Sequence, residues 1–256
     1  MSFPKITSLI THHLNECDKF VENAAISALN SEGVDNEVIV LSDALKPPRV
    51  PTKARLIWDR GLGNASQKVH QGISKARFDS EAFLLMSDDV IISMGAAASM
   101  YRGASTFNAI VAPVSNQDNG IRYMTAFELE RPDGQVKYAP RTADFVDMMG
   151  WEGAVMNYKR RELVENPIFM RVDWQPFFCV LIMRGIWDKV GPLDHELDFR
   201  GNDVAWCQKA AGYGIPTLVH FGAFAFHYGS KTLDKLSAAE KAKADEIYMR
   251  KMGMKK

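Results

Sequence analysis

Two adjacent carboxylates, Asp88 and Asp89, follow the apolar run Phe83-Leu84-Leu85-Met86 with only Ser87 between. Burying one unpaired carboxylate is costly, and burying two together costs more. A divalent cation between them and a phosphate offsets both penalties, so Ser87-Asp88-Asp89 reads as a metal–phosphate site. The pair His12-His13 closes a second apolar run, Ile6–Thr11, and Ser42-Asp43 closes a third, Glu37–Leu41. Each of these has a plainer use, as turn former, helix cap or surface histidine. Their shared position, directly after a strand-like run, sets them apart.

Those positions matter because of the elements around them. Residues 6–11, 37–41, 55–58, 82–86 and 109–114 read as strands. Helical spacing of apolar residues covers 14–29, 64–76 (interrupted by Gly72) and 96–102. Strands alternating with helices predict an α/β fold with a mostly parallel sheet and helices on both faces. In such sheets ligands bind beyond the carboxyl ends of the strands. The topology therefore gathers His12, Asp43 and the acidic triplet into one site.

The middle of the chain changes character. Residues 123–130 and 135–138 flank Pro132-Asp133-Gly134, a hairpin signal. Residues 140–175 are rich in Met, Trp, Arg and Glu with weak periodicity, as in a mobile loop or an insertion over a pocket. From Phe177 the regular pattern returns: a strand-like run to Met183, a helix from Arg184, and a helix over 203–213. Strands at 215–220 and 223–227 and a closing helix over 237–252 follow. No linker is visible, so the expectation is a single domain over 1–256. It divides into 1–114, 115–236 and a C-terminal helix over 237–256.

Composition narrows the function classes. The chain has 256 residues, with 31 Lys+Arg against 31 Asp+Glu. A net charge of zero argues against a surface that coats nucleic acid by diffuse positive potential. The 3 cysteines, Cys17, Cys179 and Cys207, sit among apolar residues with no zinc spacing, and read as buried thiols in a reducing compartment. The N-terminal residues carry no signal-peptide pattern, and no apolar run approaches the ~20 residues of a membrane span. A soluble, cytoplasmic protein without a transmembrane segment is expected. From Lys231 to Lys256 there are 8 Lys+Arg and 4 Asp+Glu, a local charge of 8 − 4 = +4. A peripheral contact with a polyanion through 231–256 is one use of that charge, and a solvated helix face is the other.

The segment Gly63-Asn64-Ala65-Ser66-Gln67-Lys68-Val69-His70-Gln71-Gly72-Ile73, the apolar strand after it, and Ser87-Asp88-Asp89 resemble the family 2 glycosyltransferases. His70 stands where that family usually has Asn, and Ser87 where it has the first Asp of Asp-x-Asp. Later segments are similar to the family as well. Val190-Gly191-Pro192-Leu193-Asp194 matches a Gly-x-x-Asp turn. Gly201-Asn202-Asp203 matches a Glu-Asp motif with Asn202 replacing Glu. His227 opens a late His-x-x-x-x-Thr, and Tyr248-Met249-Arg250-Lys251-Met252-Gly253 resembles a Tyr-x-x-Lys-x-Gly.

The resemblance implies a GT-A fold, Rossmann-like, with a smaller antiparallel portion on the acceptor side, 1–114 being the nucleotide-sugar-binding half and 115–236 the acceptor and catalytic half. It implies transfer of a hexosyl or pentosyl group from a nucleoside-diphosphate sugar to an acceptor hydroxyl. Asp89 and His227 would bind Mn²⁺ or Mg²⁺, which stabilises the leaving diphosphate as a Lewis acid. Thr11, His12 and Asp43 would meet base and ribose, and Asp88 would orient water or the ribose. Asn64 would line the donor site, and Lys68 and Arg60 would reach phosphate or sugar oxygens, their plainer use being solvated helix and loop charges. Asp203 would be the general base of an inverting displacement, its plainer use being a helix N-cap. Trp151 and Trp174 fall where an acceptor would dock, and core packing is the plainer use of either. The acceptor itself, whether saccharide, lipid-linked, protein or modified nucleic acid, is left open. Two other readings fit the same residues. One is a weakened nucleotide-sugar-binding module, given the changes at Ser87 and Asn202. The other is a nucleotidyltransferase or metal phosphohydrolase of similar fold.

Overall fold

A computed structural model describes residues 2–13, 18–115, 127–130, 136–139, 169–197, 201–228 and 237–251. Strands β1 (Lys5–His12), β2 (Asp35–Ser42), β3 (Arg55–Trp58) and β4 (Ala82–Ser87) alternate with helices α1 (Asp18–Leu29) and α2 (Ala65–Lys75). Then come β5 (Val90–Ile92), α3 (Ala96–Phe107) and β6 (Ile110–Ser115). The hairpin β7 (Phe127–Glu130) and β8 (Val136–Ala139) precedes β9 (Phe169–Val172) and β10 (Cys179–Met183). The order closes with α4 (Arg184–Val190), α5 (Asn202–Gly212), β11 (Thr217–His227) and α6 (Ala238–Lys251).

Nine strands form one sheet in the order β3-β2-β1-β4-β10-β6-β11-β5, with β9 also on β11. Strands β3, β2, β1, β4, β6 and β11 run one way, and β10, β5 and β9 run against them. This is the expected mostly parallel sheet with its antiparallel portion. Neither β5 nor β9 is legible in the sequence. One is three residues long, and the other lies inside the irregular stretch.

Alternation along each strand explains the layers. Leu84 and Met86 join Ile6, Ile10, Val38 and Val40 under α1 and α3. Phe83 and Leu85 face the opposite way, with Leu9, Ile39 and Leu41, under α2, α4 and α5. Successive strand side chains point to opposite faces, so a strand covered on both sides reads as one continuous apolar run. Burial of each large side chain there stabilises the fold by roughly 1.5–3 kcal/mol. Cys179 and Cys207 are buried free thiols, as expected, and Cys17 lies outside the described residues.

Two local features differ from the sequence reading. Gly72 does not break α2. A Cβ there would come within 2.9 Å of Leu41 Cδ1 and 3.0 Å of Leu9 Cδ2, so glycine is what lets the helix sit on the sheet. Strands 215–220 and 223–227 are one strand, β11, with a register shift between His220 and Phe224. His220 Nδ1 accepts the Gly222 N–H at 2.9 Å inside that shift. Burial, with Arg102 adding to it, pushes His220 down to about 4, so the ring is neutral and available as an acceptor.

The shift in β11 decides the site. In strand order β5 lies four strands from β4, about 19 Å at normal spacing. Yet only Asp88 and Asp89 separate β4 from β5, and two residues reach at most ~7–10 Å. The upper half of β11 must therefore bend back across the end of β4, carrying β5 with it. Bulges of this kind bend the strand that holds them.

Candidate active site

Asp88 and Asp89 occupy the turn that leaves the carboxyl end of β4. Both are buried, 8% and 5% exposed. Burial pushes the Asp88 carboxyl up to about 7, and the neighbouring Asp89 charge adds to the rise. The bent β11 places His227 opposite Val90, with His227 Nε2 3.1 Å from Asp89 Oδ1. The Tyr228 N–H donates to the Asp89 carbonyl at 3.0 Å, which anchors the end of β11 on the turn.

Beside this turn lie the ends of β1 and β2. Thr11 pairs with Ser87 across β1 and β4. His12 is fully buried, its Nδ1 2.8 Å from Ser42 Oγ and its Nε2 3.8 Å from Asp88 Oδ2. His13 Nδ1 is 3.0 Å from Asp43. On the other side of Asp43 stands Lys68, 1% exposed, with Nζ 2.8 Å from Oδ1. Lys68 also donates to the His12 carbonyl at 2.9 Å. Burial alone would raise the Asp43 carboxyl, but Lys68 and His13 outweigh it and hold the group below its ordinary value.

Asp203 is the second residue of α5, which Gly201 caps in the left-handed conformation. Its carboxylate accepts the Val204 N–H at 2.8 Å and is also bonded by the Phe177 N–H. Burial nevertheless dominates and pushes this carboxyl up to about 6. Asn202 turns its side chain inward: Oδ1 accepts the Asp203 N–H at 2.7 Å and Nδ2 donates to Ser66 Oγ at 3.1 Å.

Phe177 and Phe178 tie the two acidic centres together. The Phe177 N–H meets Asp203, the Phe178 carbonyl accepts the Ser87 N–H at 2.8 Å, and the Phe178 ring stacks on His227 at 4.5 Å between centroids. This dipeptide enters β10, which runs antiparallel to β4, so its start falls at the carboxyl end of β4. Sequence reading missed both residues. The signal was a double aromatic directly before a buried antiparallel strand.

The remaining expected residues separate. Asn64 accepts the Gln67 N–H and completes a capping box, while its Nδ2 donates to the His195 carbonyl at 2.6 Å. Arg60 is exposed and donates to the Leu45 carbonyl at 3.1 Å. Trp174 is half-buried against the core layer under α4 and α5. Trp151 lies outside the described residues, as does most of the 140–175 segment. Among the described residues no group of three or more His, Cys, Asp and Glu side chains stands ready to hold a metal ion. Asp89 and His227 form a two-donor pair, and any cation there would need further oxygens from its ligand. No helix among the described residues is long and apolar enough to cross a membrane.

A parallel α/β sheet with acidic residues at the strand ends, an antiparallel β10 in its middle and a bent late strand define the GT-A fold. The crystal structure of GalNAc-T7 with UDP, GalNAc and Mn²⁺ superposes on it with a TM-score of 0.62 and 13% identity. The match covers 88% of this chain and 44% of that one, so this chain spans under half its length. No family model matches the sequence, and no curated protein does.

Proposed function

We propose that this protein is a metal-dependent glycosyltransferase that moves a sugar from a nucleoside diphosphate to an acceptor hydroxyl. One observation carries the reading: Phe177-Phe178 joins Asp203 to the Asp89–His227 pair at the carboxyl end of β4. The GT-A fold supports it, since the structural neighbour was crystallised with UDP, GalNAc and Mn²⁺. The buried thiols of Cys179 and Cys207 support a cytoplasmic setting.

Asp89 and His227 would hold Mn²⁺ or Mg²⁺, an oxygen and imidazole donor set that suits Mn²⁺. When bound, the ion would neutralise charge developing on the diphosphate. Asp43, set between Lys68 and His13, presents carboxylate oxygens beside Thr11 and His12 for the nucleoside. Asp203 would accept the proton of the acceptor hydroxyl as its oxygen bonds to the anomeric carbon. The bond from that carbon to the phosphate oxygen breaks in the same displacement, the nucleoside diphosphate departs with the electron pair, and the centre inverts. A carboxyl raised to about 6 is still ionised at neutral pH and is a stronger base than an ordinary one.

Incubation with a panel of sugar nucleotides, with and without Mn²⁺, tests this. A Mn²⁺-dependent thermal shift and release of nucleoside diphosphate are expected. Release of pyrophosphate would mark a nucleotidyltransferase instead. Ser87 at the first position of the acidic triplet favours one second reading, a module that binds sugar nucleotides without turnover. A thermal shift with no product under any acceptor condition would establish it.

A further inference from the structure

Helix α6 contributes no residue to either core layer, and none of its described side chains is fully buried. The contacts of its last turn, from Tyr248, Arg250 and Lys251, fall instead on the segment that delivers Asp203. Lys251 Nζ lies 2.8 Å from Asp194 Oδ2 and 2.9 Å from Glu196 Oε2, and Arg250 reaches Glu196 Oε2 at 3.3 Å. Tyr248 lays its ring on Gly201 so closely that a Cβ at that position would overlap ring carbons. Gly201 also holds φ +83°, which glycine tolerates and other residues resist. It is the N-cap of α5, its carbonyl accepting the Ala205 N–H at 2.8 Å, and it stands two residues before Asp203.

The start of α2 holds the same segment from the other side. Asn64 Nδ2 donates to the His195 carbonyl, and Ser66 Oγ accepts from Asn202 Nδ2. Residues 194–196 and 201–202 are thus gripped between α2 and α6. The α6 grip can be released without unpicking the core, since α6 lies in neither core layer. Exposed ion pairs are individually weak, so the ring of Tyr248 on Gly201 is the firmer part of that grip.

We propose that Tyr248 and Lys251 are positioning residues, and that α6 is a clasp holding the start of α5 so that Asp203 stays in register with Phe177-Phe178. This rests on the assignment of Asp203 as general base. A clasp of this kind acts on turnover rather than on donor binding, because the Asp43, Lys68 and Asp89 contacts lie on other elements. Misplacing a catalytic group by ~1 Å can cost about 100-fold in rate.

The test uses the 256-residue chain with Tyr248→Ala, Tyr248→Phe and Lys251→Met, read by steady-state kinetics and by amide hydrogen exchange of residues 194–205. Tyr248→Ala should lower kcat by about 10- to 100-fold with donor KM within roughly twofold, and should speed exchange in that segment. Tyr248→Phe should restore both, since ring carbons are the Tyr248 atoms nearest Gly201. Lys251→Met should give a smaller change in the same direction. Unchanged exchange in Tyr248→Ala overturns the clasp whatever the activity. A drop in kcat that Tyr248→Phe fails to restore also overturns it, because the phenol oxygen would then be acting directly. If the unaltered chain transfers no sugar, the transferase reading fails separately, and the exchange data still decide whether α6 holds the α5 start. Should Tyr248→Ala fail to fold, Lys251→Met carries the same two readouts.

Discussion

His227 Nε2 lies 3.1 Å from Asp89 Oδ1, although one residue ends the last strand and the other follows the fourth. The contact exists because β11 changes register between His220 and Phe224 and bends over the end of β4. The Phe178 ring then stacks on the imidazole and the Tyr228 N–H pins the Asp89 carbonyl. Carboxylate and imidazole are thereby held together before any ligand arrives, which lowers the ordering cost of binding a cation.

That pairing predicts the metal response. Mn²⁺ with a nucleoside diphosphate should raise the melting temperature of the unaltered protein by mass action. Asp89→Ala should abolish the Mn²⁺-dependent part of the shift. His227→Ala should weaken Mn²⁺ affinity by about 10- to 100-fold. A Mn²⁺ titration by calorimetry gives the numbers, and equal affinity in all three proteins would remove the metal site from the Asp89–His227 pair.

Asp203 should set the acid limb of the rate profile. Its carboxyl is raised to about 6 by burial, so kcat should fall as pH drops through that value and the base becomes protonated. Asp203→Asn should lower kcat by ~100- to 10,000-fold while leaving donor KM nearly unchanged. Measuring kcat from pH 5 to pH 8 with the substrate that turns over checks both statements. A flat profile would point to a different base.

The Asp43–Lys68 pair should matter for stability as well as binding. Removing Lys68 strips the Asp43 carboxylate of its buried ammonium partner and leaves His13 beside it, so Lys68→Met should cost roughly 3 kcal/mol. For a chain of this size that is a fall of about 6–12 °C in melting temperature. The folded Asp43 carboxyl sits below its ordinary value, so the pair's contribution is complete above the unfolded carboxylate range. It disappears as pH falls through the lowered folded value. Melting curves of the two proteins should therefore converge in acid, and a constant gap down to pH 2 would contradict the pairing.

Gly72 offers a test of the packing under the site. Its missing Cβ admits Leu41 and Leu9, both fully buried. Gly72→Val should cost roughly 1–3 kcal/mol through overpacking. Gly72→Ala should cost less, because the better helix propensity of alanine returns up to ~1 kcal/mol. Urea midpoints with unchanged slope would verify the ranking, and equal midpoints for both variants would refute it.

Much of the strand-end part of the site was legible because it is local. The run Phe83–Met86 reads as a strand whatever surrounds it, and Asp88 and Asp89 follow it directly. His12 and Asp43 end neighbouring strands by the same logic. Asn64 was legible as a helix start, but its side chain is spent on the cap and on His195. Strand β5 was not readable because Val90-Ile91-Ile92 is too short to show a period, and β9 because its neighbours mask its alternation.

The sequence by itself determined the two-faced burial of the strands, the helices that cover them and the carboxylates at their ends. Periodicities of about two and 3.6 residues are local properties of the chain. Only the tertiary structure decided which partners those carboxylates meet: His227 for Asp89, the Phe177 N–H for Asp203, Lys68 for Asp43. Those meetings depend on how far β11 bends, where antiparallel β10 begins, and how closely α2 approaches the sheet over Gly72. Curvature and approach are set by packing between distant segments, and no spacing along the chain encodes them.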